Sequence, residues 1–420
     1  MCRHPFRRTS LTRICARAPI SLALMGLAAC GNILDVEFPG RIPAEQLDNP
    51  TLAPVLAGSV VGDLECAYNN YNMSAAVHSD EFEGTSKNSL VTALTNRGIT
   101  ADESVYASGG CETGPFFGAG LHTPMQTARF QSEDVFRRLS ALTDAQVPNR
   151  TTLMATVRAY GAYAYTFFGE TYCSIAFDRG PEVQPVEALR RAEAGFTEAI
   201  SLAQTAGATD ILNLARVGMA RVKMNLKKWS EAATFATQVP PGYRKDADRG
   251  TENDRRYNVF FVVAQQNAVV VVAEAYRTLN DPRVKVGDGG RETVVPGVRL
   301  IITTKYLALN SPIRLATYEE ARLILAEAQA EQGQVAQAQQ TINTYRAAYS
   351  LPALTFANQA DAITKIIEER RRELSFEGGH RLNDLLRKGT SWKVGANPYD
   401  GRPYGTTSCW PFPTQEKSSF

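Results

Sequence analysis

Apolar residues return at three- and four-residue spacing along most of this chain, and that rhythm predicts a mainly α protein. From Asn49 to Cys66 the positions Leu52, Val55, Leu56, Val60 and Leu64 share one helix side, and Tyr68 to Ser79 reads as a second helix. Met125 to Leu142 and Leu153 to Phe168 are further helices, the latter stopped by Gly169. Val186 to Val239 reads as three helices whose faces mix bulky and small residues: Ala192, Phe196 and Ala199, then Leu214, Gly218 and Val222, then Trp229, Ala232 and Ala236. Ala316 to Glu331 and Val335 to Ala348, separated by Gly333, repeat the design. Such alternation is that of tetratricopeptide-like helix pairs, each burying a face against its neighbours, and it assigns a helical repeat scaffold to residues 126–239 and 315–389. Residues 258–263 and 269–273 are β-branched and aromatic, and read as helix or irregular structure packed on the repeats. Residues 80–120 have little periodicity, which makes 66–125 a long irregular, loop-rich region.

The last helical stretch carries dense charge. Ile363, Ile366, Ile367, Arg370 and Leu374 form a stripe that Gly378-Gly379 would end, and Leu382, Leu385 and Leu386 form a shorter turn closed by Gly389. Around them stand Arg370, Glu373, Glu377, Arg381 and Asp384. Arginines keep carboxylates ionised, the wrong direction for a general acid, so these five read as a structural clamp between two helices.

Composition changes the picture at the N-terminus. The 420 residues carry 45 basic and 43 acidic groups, but five arginines lie in the first 29 residues. That leader has a basic start, an apolar run from Pro19 to Ala29 too short to span a bilayer, and Leu27-Ala28-Ala29-Cys30, a secretory signal ending in a lipobox. Residues 1–29 are therefore read as a signal peptide and Cys30 as a lipidated N-terminus. The remaining chain has a net charge of −3, which gives nucleic-acid binding no electrostatic support. Cys66, Cys111, Cys173 and Cys409 form an even set in an exported chain, where disulfides are the default. Four cysteines allow three connectivities, of which Cys66 with Cys111 and Cys173 with Cys409 is the favoured one.

Residues for catalysis are sparse. Past the leader there are three histidines, His78, His122 and His380, and no metalloprotease, nucleophile-elbow or phosphate-loop motif, so neither a cofactor nor a metal is implied. Asp80, Glu81 and Glu83 could supply a glycosidase pair, with solvated loop charge as the preferred reading. The same region holds Tyr68, Tyr71, Phe82, Tyr106, Phe116 and Phe117 among Asn69, Asn70, Asn72, Asn88 and Asn96. Aromatic faces stack on sugar rings while amides and carboxylates bond hydroxyls, so these aromatics with Asp80 and Glu81 are the candidate ligand residues. Trp229, Trp392 and Trp410 read as packing residues.

The C-terminal stretch resembles the signature of the SusD/RagB family of outer-membrane nutrient-binding lipoproteins through Glu369-Arg370, Glu373-Leu374, Phe376-Glu377-Gly378, Arg381 and Asp384-Leu385. Further resemblance lies in Leu34-Asp35, Asp281-Pro282-Arg283, Lys305-Tyr306, Ala326-Glu327-Ala328, Ile342-Asn343 and the tail from Cys409 to Glu416. It implies a non-catalytic lipoprotein on the outer-membrane surface that captures an oligosaccharide or similar nutrient for a TonB-dependent, SusC-like transporter, with its ligand site in loops on the N-terminal side of the scaffold. A lipid-anchored adaptor for protein partners and a carboxylate-based glycoside hydrolase are the alternatives.

Overall fold

The computed structural model describes residues 46–86, 89–111, 120–389 and 392–417; the stretch read as a signal peptide, Cys30, Leu34-Asp35, Asn88, Phe116 and Phe117 lie outside the described residues. Residues 49–420 form one unit, organised around helix α1, Ala53–His78. The two helices expected on either side of Cys66 are this single 26-residue helix. The pattern misleads because every residue from Leu64 to His78 is buried, so no polar face marks the second half. Asparagines at its centre satisfy loop backbone: Asn69 Nδ2 donates to the Tyr257 carbonyl (2.8 Å) and Asn70 Nδ2 to that of Gly120 (2.9 Å). His78 meets the Ser408 carbonyl at 3.1 Å.

Helices α2 (Ser89–Thr95) and α3 (Ser104–Ser108) lie in the loop-rich region. The scaffold begins with α4 (His122–Ser140) and α5 (Arg150–Thr171), then α6 (Pro185–Ala206), α7 (Thr209–Asn225) and α8 (Trp229–Thr237). Small residues stand where helices cross, as expected: a Cβ on Gly218 would collide with the Phe196 ring. Gly169 does not stop α5, which runs past it to Thr171. A Cβ there would come within 2.5 Å of the Leu189 side chain, so this glycine serves the α5–α6 approach.

Three two-stranded antiparallel sheets were not expected. They are β1 (Phe82–Gly84) with β3 (Val270–Val272), β2 (Arg244–Ala247) with β6 (Ile313–Thr317), and the hairpin of β4 (Val286–Glu292) with β5 (Arg299–Thr303). Of the two ambiguous runs, the first becomes a π-helical turn at Phe261–Gln266 and the second the buried strand β3, which short helix α9 (Glu274–Arg277) follows. The chain then returns to helix with α10 (Tyr318–Glu331), α11 (Val335–Ala347), α12 (Gln359–Glu373) and α13 (His380–Lys388), and α14 (Thr414–Lys417) closes the described chain. No helix among the described residues is long and apolar enough to cross a membrane.

Both favoured disulfides are present: Cys66–Cys111 joins α1 to the loop region, and Cys173–Cys409 ties the tail to the end of α5. The charged residues of α12 and α13 sit at a buried junction. Arg370 Nε bonds Asp384 at 2.9 Å and lies 3.6 Å from Glu327; Glu377 takes Lys305 at 2.7 Å; Glu373 accepts the hydroxyls of Tyr345 and Tyr349. Gly379, at φ 65°, caps the start of α13 and does not end α12, whose cap is Leu374.

Candidate functional site

The aromatic residues singled out from the sequence do not form one exposed platform. Tyr68, Tyr71, Phe82 and Tyr106 are each 0–1 % exposed. Tyr71 stacks on Phe167 with centroids 4.5 Å apart and meets Trp410 edge-on at 5.6 Å. Phe82 packs against Phe376, and Tyr106 donates its hydroxyl to the Pro411 carbonyl at 2.6 Å. Their rings are therefore core, and ligand contact by these four is corrected to packing. The sequence argument counted aromatics in an aperiodic stretch, but the second half of α1, Leu64 to His78, is fully buried and the neighbouring loops fold onto it.

The carboxylates are likewise committed. Asp80 forms two 2.6 Å bonds with Arg381, which holds it below the usual carboxylate range against the opposing effect of burial. Glu81 is sealed inside, accepts the Phe376 N–H at 2.5 Å, and is pushed by burial up to about 8. Glu83 bonds Tyr404 Oη at 2.9 Å and lies 3.3 Å from Lys393 Nζ. Asp80 and Arg381 thus join α13 to the loop after α1, so Arg381 takes a partner outside the five residues read as a clamp. No carboxylate of this group faces solvent as a free acid or base, and no metal-ligating cluster occurs among the described residues.

What the irregular side does present is the seam between residues 82–99 and the segment 392–407. Asn96 holds it together, donating to Asp400 Oδ2 at 3.1 Å and accepting from Asn397 Nδ2 at 3.1 Å, while the Gly405 N–H donates to its carbonyl at 2.6 Å. Along this seam Trp392, Tyr399 and Tyr404 are half-buried. The Arg97 guanidinium lies 5.2 Å from the Trp392 ring centroid, Lys393 Nζ 5.4 Å from that of Tyr404, and Arg277 Nη2 donates to Tyr399 Oη at 3.4 Å. Half-buried rings thus stand beside amides, a carboxylate and cations, the combination sought in 66–125, with the aromatics supplied from the far end of the chain. Trp392 was read as packing, and its half-buried ring does pack against the core and meets His78 edge-on at 6.1 Å. The signal that could have found this segment is in the sequence: Trp392, Tyr399 and Tyr404 stand among Gly395, Asn397, Pro398, Asp400, Gly401 and Pro403 with no helical rhythm. Trp410 is fully buried, as read, and Trp229 packs partly buried against the core.

A concavity of about 600 Å³ lies between α10 and α11 and is lined by Tyr318, Arg322, Tyr345 and Tyr349 among others. Tyr345 is buried and its hydroxyl is committed to Glu373, so the floor of this groove belongs to the clamp.

Residues 310–410 match the sequence model of the SusD family. No curated protein matches the sequence significantly. Similar solved structures include a SusD-like carbohydrate binding protein from Bacteroides vulgatus (14 % identity, 88 % of this chain and 96 % of that one, TM-score 0.66). A laminarin binding SusD-like protein superimposes at TM-score 0.65 with 16 % identity over 88 % of this chain and 97 % of its own. Surface glycan-binding protein A from Bacteroides uniformis does so at 0.61 with 15 % identity, over 86 % and 97 %. Residues 310–410 thus carry the sequence pattern of the SusD family, and the chain shares the fold of SusD-like structures over most of its length.

Proposed function

We propose that this protein is a non-catalytic outer-membrane lipoprotein, anchored through Cys30, that captures an oligosaccharide on the Trp392 seam and passes it to a TonB-dependent, SusC-like transporter. The observation that carries the reading is the set of half-exposed rings of Trp392, Tyr399 and Tyr404, held beside Asn96 and Asp400 on a SusD fold. Solved relatives with this fold are described as carbohydrate, laminarin and glycan binding, which supports a saccharide as the cargo. A carrier that must release its cargo needs only micromolar to millimolar affinity, roughly −4 to −8 kcal/mol.

The test is titration calorimetry of the full chain in detergent against a panel of oligosaccharides, with product analysis of each mixture. Binding that Trp392→Ala and Tyr399→Ala weaken at unchanged melting temperature, with the saccharide recovered intact, is the expected result. Cleaved saccharide would move the protein to the hydrolases. For the anchor, Cys30→Ala should shift the protein from the membrane fraction to the soluble one, and a wild type that takes up no labelled fatty acid would defeat it.

A further inference from the structure

Two cations on the seam lack an anion. No carboxylate among the described residues pairs with Arg97 or Arg277, although both are half-buried and the chain beyond its leader is net acidic. The Arg97 guanidinium makes one hydrogen bond among the described residues, from Nη2 to the Lys393 carbonyl at 3.3 Å, and that of Arg277 makes one, to Tyr399 Oη. Nε of each is buried without a partner. Arg291, by contrast, turns its guanidinium to the carbonyls of both Gln265 and Gln266. The seam arginines keep most of their N–H donors without a protein partner among the described residues, beside half-buried rings.

The backbone at Arg97 points the same way. It ends α2 in the left-handed region at φ 51°, a conformation where glycine or asparagine is the ordinary choice and a long side chain is strained. Strain of that kind is retained where the side chain has work to do. A guanidinium above an indole ring keeps its in-plane donors free, and their fork matches a planar carboxylate. The acids of the seam do not neutralise it: Glu83 faces Lys393 and Tyr404, and Asp400 takes Asn96 Nδ2 and the Arg402 N–H.

We propose that the cargo is an acidic oligosaccharide, its uronate or sulfate groups taken by Arg97 and Arg277 while sugar faces rest on Trp392 and Tyr399. This rests on the seam being the capture site. The two are separated by titrating the full chain in detergent with oligogalacturonate, its fully methyl-esterified form, a chondroitin sulfate oligosaccharide and a neutral laminari-oligosaccharide. At least one of the two acidic saccharides is expected to bind about tenfold or more tightly than either neutral one and to weaken as salt is raised, the uronate and sulfate arms telling which group is read. Arg97→Gly, which also relieves the backbone, and Arg277→Gln should each erase most of that preference at wild-type melting temperature. Binding confined to the neutral saccharides and lost in Trp392→Ala overturns the acidic cargo and keeps the capture site. Acidic saccharide bound equally by wild type, Arg97→Gly and Trp392→Ala overturns both, as does binding to none of the four.

Discussion

Tyr71 and Trp392 carry similar apolar rings with one polar group, and the sequence alone does not reveal that Tyr71 is sealed in the core while Trp392 is half-buried. Tyr71 looked available because asparagines surround it; in the fold those asparagines bond loop backbone and Tyr71 lies against Phe167, Trp410 and Gly379. An aromatic that stacks on another ring and one that stacks on a sugar obey the same preference, so only burial separates them. Tyr71→Ala or Tyr106→Ala should therefore destabilise the protein by about 3–5 kcal/mol, while Tyr106→Phe, which gives up the bond to Pro411, should lose about 1 kcal/mol. Guanidinium denaturation with unchanged slope is the measurement, and a stable Tyr106→Ala that lost only binding would restore that ring to the ligand. At Arg97 the opposing terms nearly cancel. Glycine relieves a left-handed residue by about 1 kcal/mol and forfeits a cation–π contact of about 0.5–1 kcal/mol, so little net change is expected.

Among elements, long amphipathic helices were legible and short strands were not. The scaffold from α4 to α8 and from α10 to α13 follows its 3.6-residue rhythm where its helices leave one side to solvent, while the stretches Ala159 to Phe168 of α5 and Val217 to Met224 of α7 are buried all round. Strands β1 and β3 are three residues each and fully buried, leaving no alternation to read. The junction of α12 and α13 was legible for another reason: charges at such density near a helix end must be paired to be buried. Its members are not equivalent. Asp384 holds both Arg370 (2.9 Å) and Arg387 (2.6 Å), and Arg370 is fully buried with Nη1 and Nη2 unbonded, so Asp384→Ala should lower stability by about 3–5 kcal/mol. Glu373 is pushed upward by burial and is met by the Tyr345 and Tyr349 hydroxyls, which a neutral amide can also satisfy. Glu373→Gln should thus change stability by about 1 kcal/mol or less. Equal losses in the two variants, read from denaturation midpoints, would mean that the clamp acts as one undivided unit.

For the molecule as a whole, buried titrating groups set where stability lies on the pH axis. Glu81 and Glu320 are fully enclosed and pushed up by burial to about 8 and about 7. Each is neutral in the folded chain while its unfolded counterpart ionises near 4.5. Their contribution is therefore complete below 4.5 and is lost as pH rises toward the folded value. His78, pushed down by burial to about 4, and His380, pushed well below its ordinary value first by burial and then by Arg221, work in the opposite sense. They are neutral when folded, so what they contribute is present above 6.5 and lost as pH falls. Asp281, drawn down to about 2 by Arg283 against its own burial, adds to the loss in acid below its unfolded value near 3.8. Between 4.5 and 6.5 the two glutamates and two histidines offset one another; above 6.5 the glutamates act alone of the four. Each loses about 1.4 kcal/mol per pH unit until its folded value is reached, which predicts a fall of roughly 2–3 kcal/mol between pH 6.5 and 8. Lys393, pushed down by burial, opposes the fall as pH approaches its unfolded value, so the variant comparison matters more than the absolute curve. Glu81→Gln keeps an oxygen for the Phe376 N–H and has no proton to lose, so its unfolding free energy should decline less than that of the wild type between pH 7 and 8, by about 1.4 kcal/mol. Parallel curves for the two proteins across that window would show that Glu81 is already ionised in the folded chain.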